Sequence, residues 1–205
     1  MFKKSFVLFA FLFVFGFAGC KNNDSPVTPN EPQYLMPLAV GNIWIMQIKS
    51  YDSTGAIQEQ AFDTTQVIGT KIINNETWYK MSENEAIINR ADGVHEYMTD
   101  STLGTVTGLI FKYPAMVGDT GTSLFGLTFK LVAKGVSETV PAGTFTCYMY
   151  QSENSYSYFG FTYYMKMHIW ICPGKGIVKS EIYSRENNGI LYKSNLSELI
   201  SYHLN

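Results

Sequence analysis

Apolar residues fall into three regimes along the chain. Residues 6–18 form an unbroken apolar run, residues 21–36 contain almost none, and from Asn42 onward short β-branched and aromatic runs alternate with polar positions between turn sequences. The third regime predicts strands over Asn42 to Tyr51, Ala56 to Gly69, Thr70 to Ser82, Ala86 to Arg90, Val94 to Thr99 and Ile110 to Tyr113. It continues with Thr128 to Glu138, Thr144 to Tyr156, Phe161 to Cys172, Gly176 to Glu186 and Ile190 to Tyr202. Asn74-Asn75 suits a tight hairpin turn, and Ala91-Asp92-Gly93 forms another. The closing LSELISYHL also fits a short helix through Leu196, Leu199, Ile200 and His203, but ILYK before it continues the alternation and favours a strand. Helix signals are otherwise scarce. The expected fold is all-β, an antiparallel meander of about ten strands with few or no helices. A sheet that wide twists, curls or closes, so it should form a curved half-barrel or an up-and-down barrel, with a two-sheet sandwich as the second arrangement.

One hairpin allows a closer reading. A turn centred on Tyr158 to Phe161 sets Cys147 opposite Cys172, Met149 opposite Trp170, Gln151 opposite His168 and Glu153 opposite Lys166. An opposite-charge pair and a sulfur beside an aromatic ring are favourable cross-strand partners. Cys147 and Cys172 then either form a disulfide or remain two separately buried thiols. On the strand Phe161 to Cys172, Phe161, Tyr163, Met165, Met167, Ile169 and Ile171 share the face expected in the core. Tyr164, Lys166, His168, Trp170 and Cys172 share the other. That second face lines a cavity or is a half-exposed surface, and Tyr164, His168 and Trp170 are its ligand-facing candidates.

The apolar run changes the picture of the N-terminus. Lys3 and Lys4 precede it and Ala18-Gly19 follow, which is the layout of an export signal. At about 13 residues it is shorter than the roughly 20 needed to span a bilayer as a helix. FAGC at 17–20 resembles the lipobox of bacterial lipoproteins, with Phe17 in place of the preferred leucine. The resemblance implies that Cys20 is alkylated by diacylglycerol and becomes the first residue of the mature chain, held on a membrane by its acyl chains. An ordinary secretory signal with a chance cysteine is the alternative. Residues 21–36 carry Pro26, Pro29 and Pro32, bury little, and read as an extended tether reaching at most roughly 50 Å. The organisation expected is therefore a signal peptide over 1–19, the lipidated Cys20 and tether over 20–36, and one β domain over 37–205. Lys21 stands where aspartate retains lipoproteins at the inner membrane of some bacteria, which points to the outer membrane of the cell envelope.

Without residues 1–19, seven of the 14 Phe disappear and 13 Lys and Arg stand against 17 Asp and Glu. No basic stripe remains to neutralise phosphates, so a nucleic-acid partner is not expected. Neither remaining cysteine lies in a zinc spacing, and no cofactor is implied. His95, His168 and His203 fall in different strands. His95 and Glu96 point to opposite faces, and no nucleophile elbow, HExxH or calcium loop occurs. His168 and Cys172 on one face suggest a thiol nucleophile only if Cys172 is reduced. The chain is expected not to be an enzyme.

Four segments, PLAVGNIW at 37–44, FKYPAMVGDTG at 111–121, VPAGTFTC at 140–147 and WICPGKGIVKSE at 170–181, resemble motifs of a group of uncharacterised bacterial envelope lipoproteins. Those motifs are PLxxGNxW, YPxxxGD, VPAGTFxC and PGxGxVK. The strand order is also similar, more distantly, to the lipoprotein carriers LolA and LolB, whose curved sheet wraps an apolar cavity. Physically the motifs read as structure: Pro141-Ala142-Gly143 as a type II turn, Pro173-Gly174-Lys175-Gly176 as a second turn, and Trp44 and Trp170 as core anchors. The function expected is that of a lipid-anchored envelope protein, non-catalytic, binding an apolar ligand or an envelope partner through a curved, aromatic-rich sheet. The alternative is a surface interaction or polysaccharide-binding module using Tyr and Trp as stacking platforms.

Overall fold

A computed structural model describes residues 33–100, 104–187 and 189–205. The expected signal peptide over 1–19 and Cys20 lie outside these residues. Among them there is no helix, and thirteen strands form two antiparallel sheets. The large sheet runs in the order β2 (Ile57–Gln66), β1 (Ile43–Tyr51), β13 (Tyr192–His203), β12 (Gly176–Glu186), β11 (Phe161–Cys172), β10 (Gly143–Tyr158), β9 (Thr128–Val140) and β8 (Thr120–Thr122). The small sheet runs β3 (Gly69–Ile73), β4 (Glu76–Lys80), β5 (Glu85–Arg90), β6 (Gly93–Asp100) and β7 (Gly104–Lys112).

The meander is thus divided between two sheets and is not closed into a barrel. The split follows from β2, in which the eight residues from Ile57 to Thr64 are exposed on both faces. With nothing to bury beyond β1, the chain leaves the large sheet at the fully buried Val67, which exchanges backbone hydrogen bonds with Gly41 and Asn42, and starts a second sheet. Two strands were shorter or absent in the sequence pattern. β7 begins at Gly104, six residues before Ile110, because Gly104 and Gly108 interrupt its alternation, and β8 is only Thr-Gly-Thr. Gly121 in β8 lets the sheets approach, since a Cβ there would collide with the carbonyls of Leu109 and Ile110.

The core has two clusters. One joins Val94 and Phe111 of the small sheet to Phe129, Leu131, Tyr148, Tyr150, Ile169 and Ile171 of the large one. Phe111 lies 5.1 Å from both the Phe129 and Tyr150 rings, and the Tyr150 hydroxyl donates to the Lys112 carbonyl at 2.7 Å, tying the sheets together. Burial pushes the Tyr150 phenol up from its ordinary value. The second cluster gathers Trp44, Met46, Val67, Val140, Trp170, Val178 and Leu199 around Cys147 and Cys172, which are disulfide-bonded. Here the β9–β10 turn reaches β13: Ala142 N–H donates to the Leu199 carbonyl at 3.0 Å. β11 and β12 lie between those strands in the sheet order, so this bond forms only because the large sheet curls.

The β10–β11 register pairs Met149 with Trp170, Gln151 with His168 and Glu153 with Lys166, closed by a two-residue turn at Phe159-Gly160 with positive φ at both positions. Asn74-Asn75 forms the same kind of turn. The C-terminal segment is strand β13. Pro141-Ala142 is not the type II turn expected: Val140 pairs with Gly143, so the two turn residues are Pro141 and Ala142. Ala142 keeps negative φ, and Gly143, at φ 134°, begins β10. The domain also begins earlier than Pro37. Leu35 and Met36, assigned to the tether, are buried in the first cluster. Asn89 Nδ2 donates to the Met36 carbonyl at 2.7 Å and Gly174 N–H to the Tyr34 carbonyl at 3.1 Å, fixing residues 33–38 as a strap.

Candidate functional site

The ladders of β10 to β13 set three adjacent cross-strand rows. Met149, Trp170, Lys179 and Glu198 form one, Gln151, His168 and Glu181 the next, and Glu153, Lys166, Tyr183 and Lys193 the third. Residues directly opposite in a ladder share a face, so these side chains meet. Glu181 is the centre. Its carboxylate accepts from Lys193 Nζ at 2.7 Å and Tyr183 Oη at 2.8 Å, and Lys179 Nζ lies at 3.4 Å. Lys179 also donates to Glu138 at 3.0 Å, reached because the sheet curls.

Burial works to raise the Glu181 pKa, but the hydrogen bonds from Lys193 and Tyr183 and the two lysine charges outweigh it and hold the carboxyl below its ordinary value. Burial works to lower that of Lys179, yet Glu138 and Glu181 raise it overall. Tyr183 is pushed up to about 12 by burial and its bond to Glu181. Lys166, Lys179, Lys193 and Lys49, the last 3.8 Å from Glu198, thus face Glu138, Glu153, Glu181 and Glu198, and the face is charge-compensated.

The three ligand-facing candidates are placed differently from one another. Trp170 is 6% exposed, with Lys179 Nζ 4.8 Å above its ring, so it is a core anchor under a cation. His168 is half-buried, edge-on to Trp170 and Tyr183 at 5.9 and 5.7 Å, and its Nε2 lies 3.2 Å from Gln151 Oε1. Tyr164 is half-buried beneath the Arg185 guanidinium at 4.7 Å. Burial, then the Lys166 charge, lowers the His168 pKa. The unfolded chain therefore binds a proton at His168 that the folded chain resists, and stability falls as pH drops below about 6.5 towards the folded value. His168→Gln is expected to flatten the stability profile in that window, measured by urea unfolding at pH 7.5 and 5.5. An unchanged slope would exclude His168 as its source.

An opening with apolar walls lies elsewhere. A cleft of about 460 Å³ separates the strap from the small sheet, lined by Tyr34, Met36, Pro37, Leu38, Tyr79 and Ile88, with Thr77, Asn89 and Gly174 at its polar margin. Asn89 Oδ1 is buried without a hydrogen-bond partner among the described residues. Sequence reasoning missed this cleft because the strap read as tether. The apolar pair Leu35-Met36 was the available signal. Among the described residues no group of three His, Cys, Asp or Glu side chains converges as a metal site would.

The class these features define is an antiparallel two-sheet β protein with a curled large sheet and an apolar cleft under its N-terminal strap. Residues 128–194 match the DUF3108-like family model, which covers β9 to the start of β13 and so the whole Glu181 network. Two of the four motifs, VPAGTFTC and WICPGKGIVKSE, fall within that span. Two crystal structures align along most of the chain. One, from Parabacteroides distasonis ATCC 8503, is described as an inferred lipoprotein; it is 13% identical, covers 84% of this chain and 99% of that one, and has a TM-score of 0.46. The other, from Bacteroides fragilis NCTC 9343, is described as an inferred exported protein with a YmcC-like fold; it is 13% identical, covers 83% of this chain and 99% of that one, and has a TM-score of 0.47. No curated protein matches the chain.

Proposed function

We propose that this is a lipid-anchored protein of the bacterial envelope, probing its surroundings as a non-catalytic binding module, and that its ligand is an apolar chain seated in the strap cleft. The lipobox-like FAGC at 17–20 supports the anchor, and Lys21 in the place of a retaining aspartate supports the outer-membrane location. The cleft itself carries the binding assignment. Its volume falls within the range of small-ligand pockets, about 300–1,000 Å³, and its walls are aromatic and aliphatic. The face of Tyr164, His168 and Trp170 is a poorer host, because its charges are already paired and Trp170 is capped. The polysaccharide-facing alternative loses its indoles as platforms, since Trp44, Trp78 and Trp170 are all buried.

Titration with dansyl-undecanoic acid tests the assignment. The wild-type chain is expected to bind it, and Ile88→Asn to weaken binding by about tenfold, the equivalent of about 1.4 kcal/mol. Absence of uptake by the wild type, together with no co-purified mass in native mass spectrometry of protein prepared without detergent, would sink the reading.

A further inference from the structure

The large sheet has one short edge and one long one. β8 forms the first with three residues, whereas β2 forms the second with ten, and among the described residues its only neighbour in the sheet is β1. Native edge strands are blunted by lysine, proline or a covering loop. Between Ile57 and Gln66 there is neither lysine nor proline, and both faces from Ile57 to Thr64 are exposed, Phe62 to 63%. Val67 N–H donates to the Asn42 carbonyl at 2.9 Å, and from there the register runs without a shift from Ile43 opposite Gln66 to Ser50 opposite Glu59. By the alternation of an antiparallel ladder, Gln66, Thr64, Phe62 and Gln60 therefore turn their N–H and C=O away from β1.

We propose that β2 pairs antiparallel with β2 of a second copy about a two-fold axis through Phe62, so that two large sheets become one continuous sheet. Identical antiparallel strands related by a two-fold axis must set one residue opposite itself, because the members of a hydrogen-bonded pair face each other. Charge then selects which residue. An axis at Glu59 or Asp63 sets that carboxylate against its own copy, and an axis at Ala61 sets Glu59 against Asp63 twice. An axis at Gln60 leaves Thr64, Thr65 and Gln66 beyond the partner strand. At Phe62 the pairs are Gln58 with Gln66, Glu59 with Thr65, Gln60 with Thr64 and Ala61 with Asp63, which oppose no like charges and leave only Ile57 outside. The two Phe62 rings meet at the axis, and an aromatic cross-strand pair is favourable. Glu59 and Asp63 thus fix the register instead of blocking the edge. The small sheet leaves room, since its Val94 and Phe111 pack against Phe129, Leu131, Tyr148 and Tyr150, toward the β8 end of the strand order. A single strand pair lies at the low end of interface sizes, below about 1,200 Å² in total, so a dimer that dissociates at micromolar concentration is expected.

The test uses the chain from residue 20 with Cys20→Ser, which keeps every described residue and prevents acylation or thiol crosslinking at that position from registering as association. Sedimentation velocity over a micromolar concentration series is expected to show a monomer–dimer equilibrium. Phe62→Lys, which sets two ammonium groups across the axis, should raise the dissociation constant at least about tenfold. Thr64→Pro should do the same, because the N–H it removes points away from β1, and both variants should keep the parent's thermal midpoint. Phe62→Cys should crosslink under mild oxidation, since directly opposed residues lie about 5.5 Å apart at Cα, within disulfide reach. Gln60→Cys, displaced along the strand from its own copy, should not. A chain that stays monomeric throughout the series, a dimer indifferent to Phe62→Lys and Thr64→Pro, or crosslinking at position 60 in place of position 62 overturns the proposal. β2 contributes no wall to the strap cleft, so none of these outcomes bears on ligand binding there.

Discussion

Trp44→Ala is expected to destabilise the protein by about 3–5 kcal/mol, the range for deleting a fully packed aromatic side chain. Trp44 is 3% exposed, sits within the second core cluster, and donates from Nε1 to the Lys175 carbonyl at 2.7 Å. Its ring also lies against Gly176, where a Cβ would approach Nε1 to 3.2 Å at a φ of 90°. The indole therefore both fills the cluster and pins the β11–β12 turn. Trp44→Phe keeps most of the volume and removes the donor, leaving the Lys175 carbonyl to water, and should cost about 1–2 kcal/mol beyond repacking. Urea unfolding of both variants checks the pair. Equal losses would show that the hydrogen bond, not the packing, carries the effect.

Glu181→Ala is expected to cost about 2–3 kcal/mol at neutral pH. Breaking a buried ion pair costs about 3–5 kcal/mol when the orphaned charge stays dry, and Lys193 is discounted because its side chain is 35% exposed. Lys179, at 16%, keeps only Glu138. The pH dependence has a fixed sign. The folded Glu181 carboxyl lies below its ordinary value of 4.5, so its contribution is present above that value and is lost as pH falls through the folded one. The gap between wild type and Glu181→Ala should therefore narrow under acid, and a pH-independent gap would refute the ion-pair account. Lys179→Met combined with Glu181→Leu should recover much of the loss if desolvation dominates.

Period-two alternation carried most of the large sheet into view. In β10 and β11 even the register was legible, because a turn over Tyr158 to Phe161 sets Glu153 opposite Lys166 and Met149 opposite Trp170, both favourable pairs. Alternation says nothing about which strand lies beside which, so the division into two sheets was hidden. It depends on β2, whose sequence IQEQAFDTTQ looks like an ordinary strand although neither of its faces is buried. The ionic network was half legible. Lys166 and His168 stood on one face of a single strand, but Glu138 joins through curl, a property of the assembled sheet. The strap cleft went unread because proline-rich polarity up to Gln33 outweighed its one signal, the buried pair Leu35-Met36.

The strap also determines how the domain bears mechanical load. A pull arriving along the chain from upstream meets the clip from Gly174 to Tyr34 first, then buried Leu35 and the clips from Asn89 to Met36 and from Asn42 Nδ2 to the Pro37 carbonyl, before it reaches β1. These clips belong to the β11–β12 turn, to β5 and to the residue before β1, so force is spread over both sheets instead of unzipping one edge. Such a pull is thus absorbed at the root of the domain, and the first strand is not peeled.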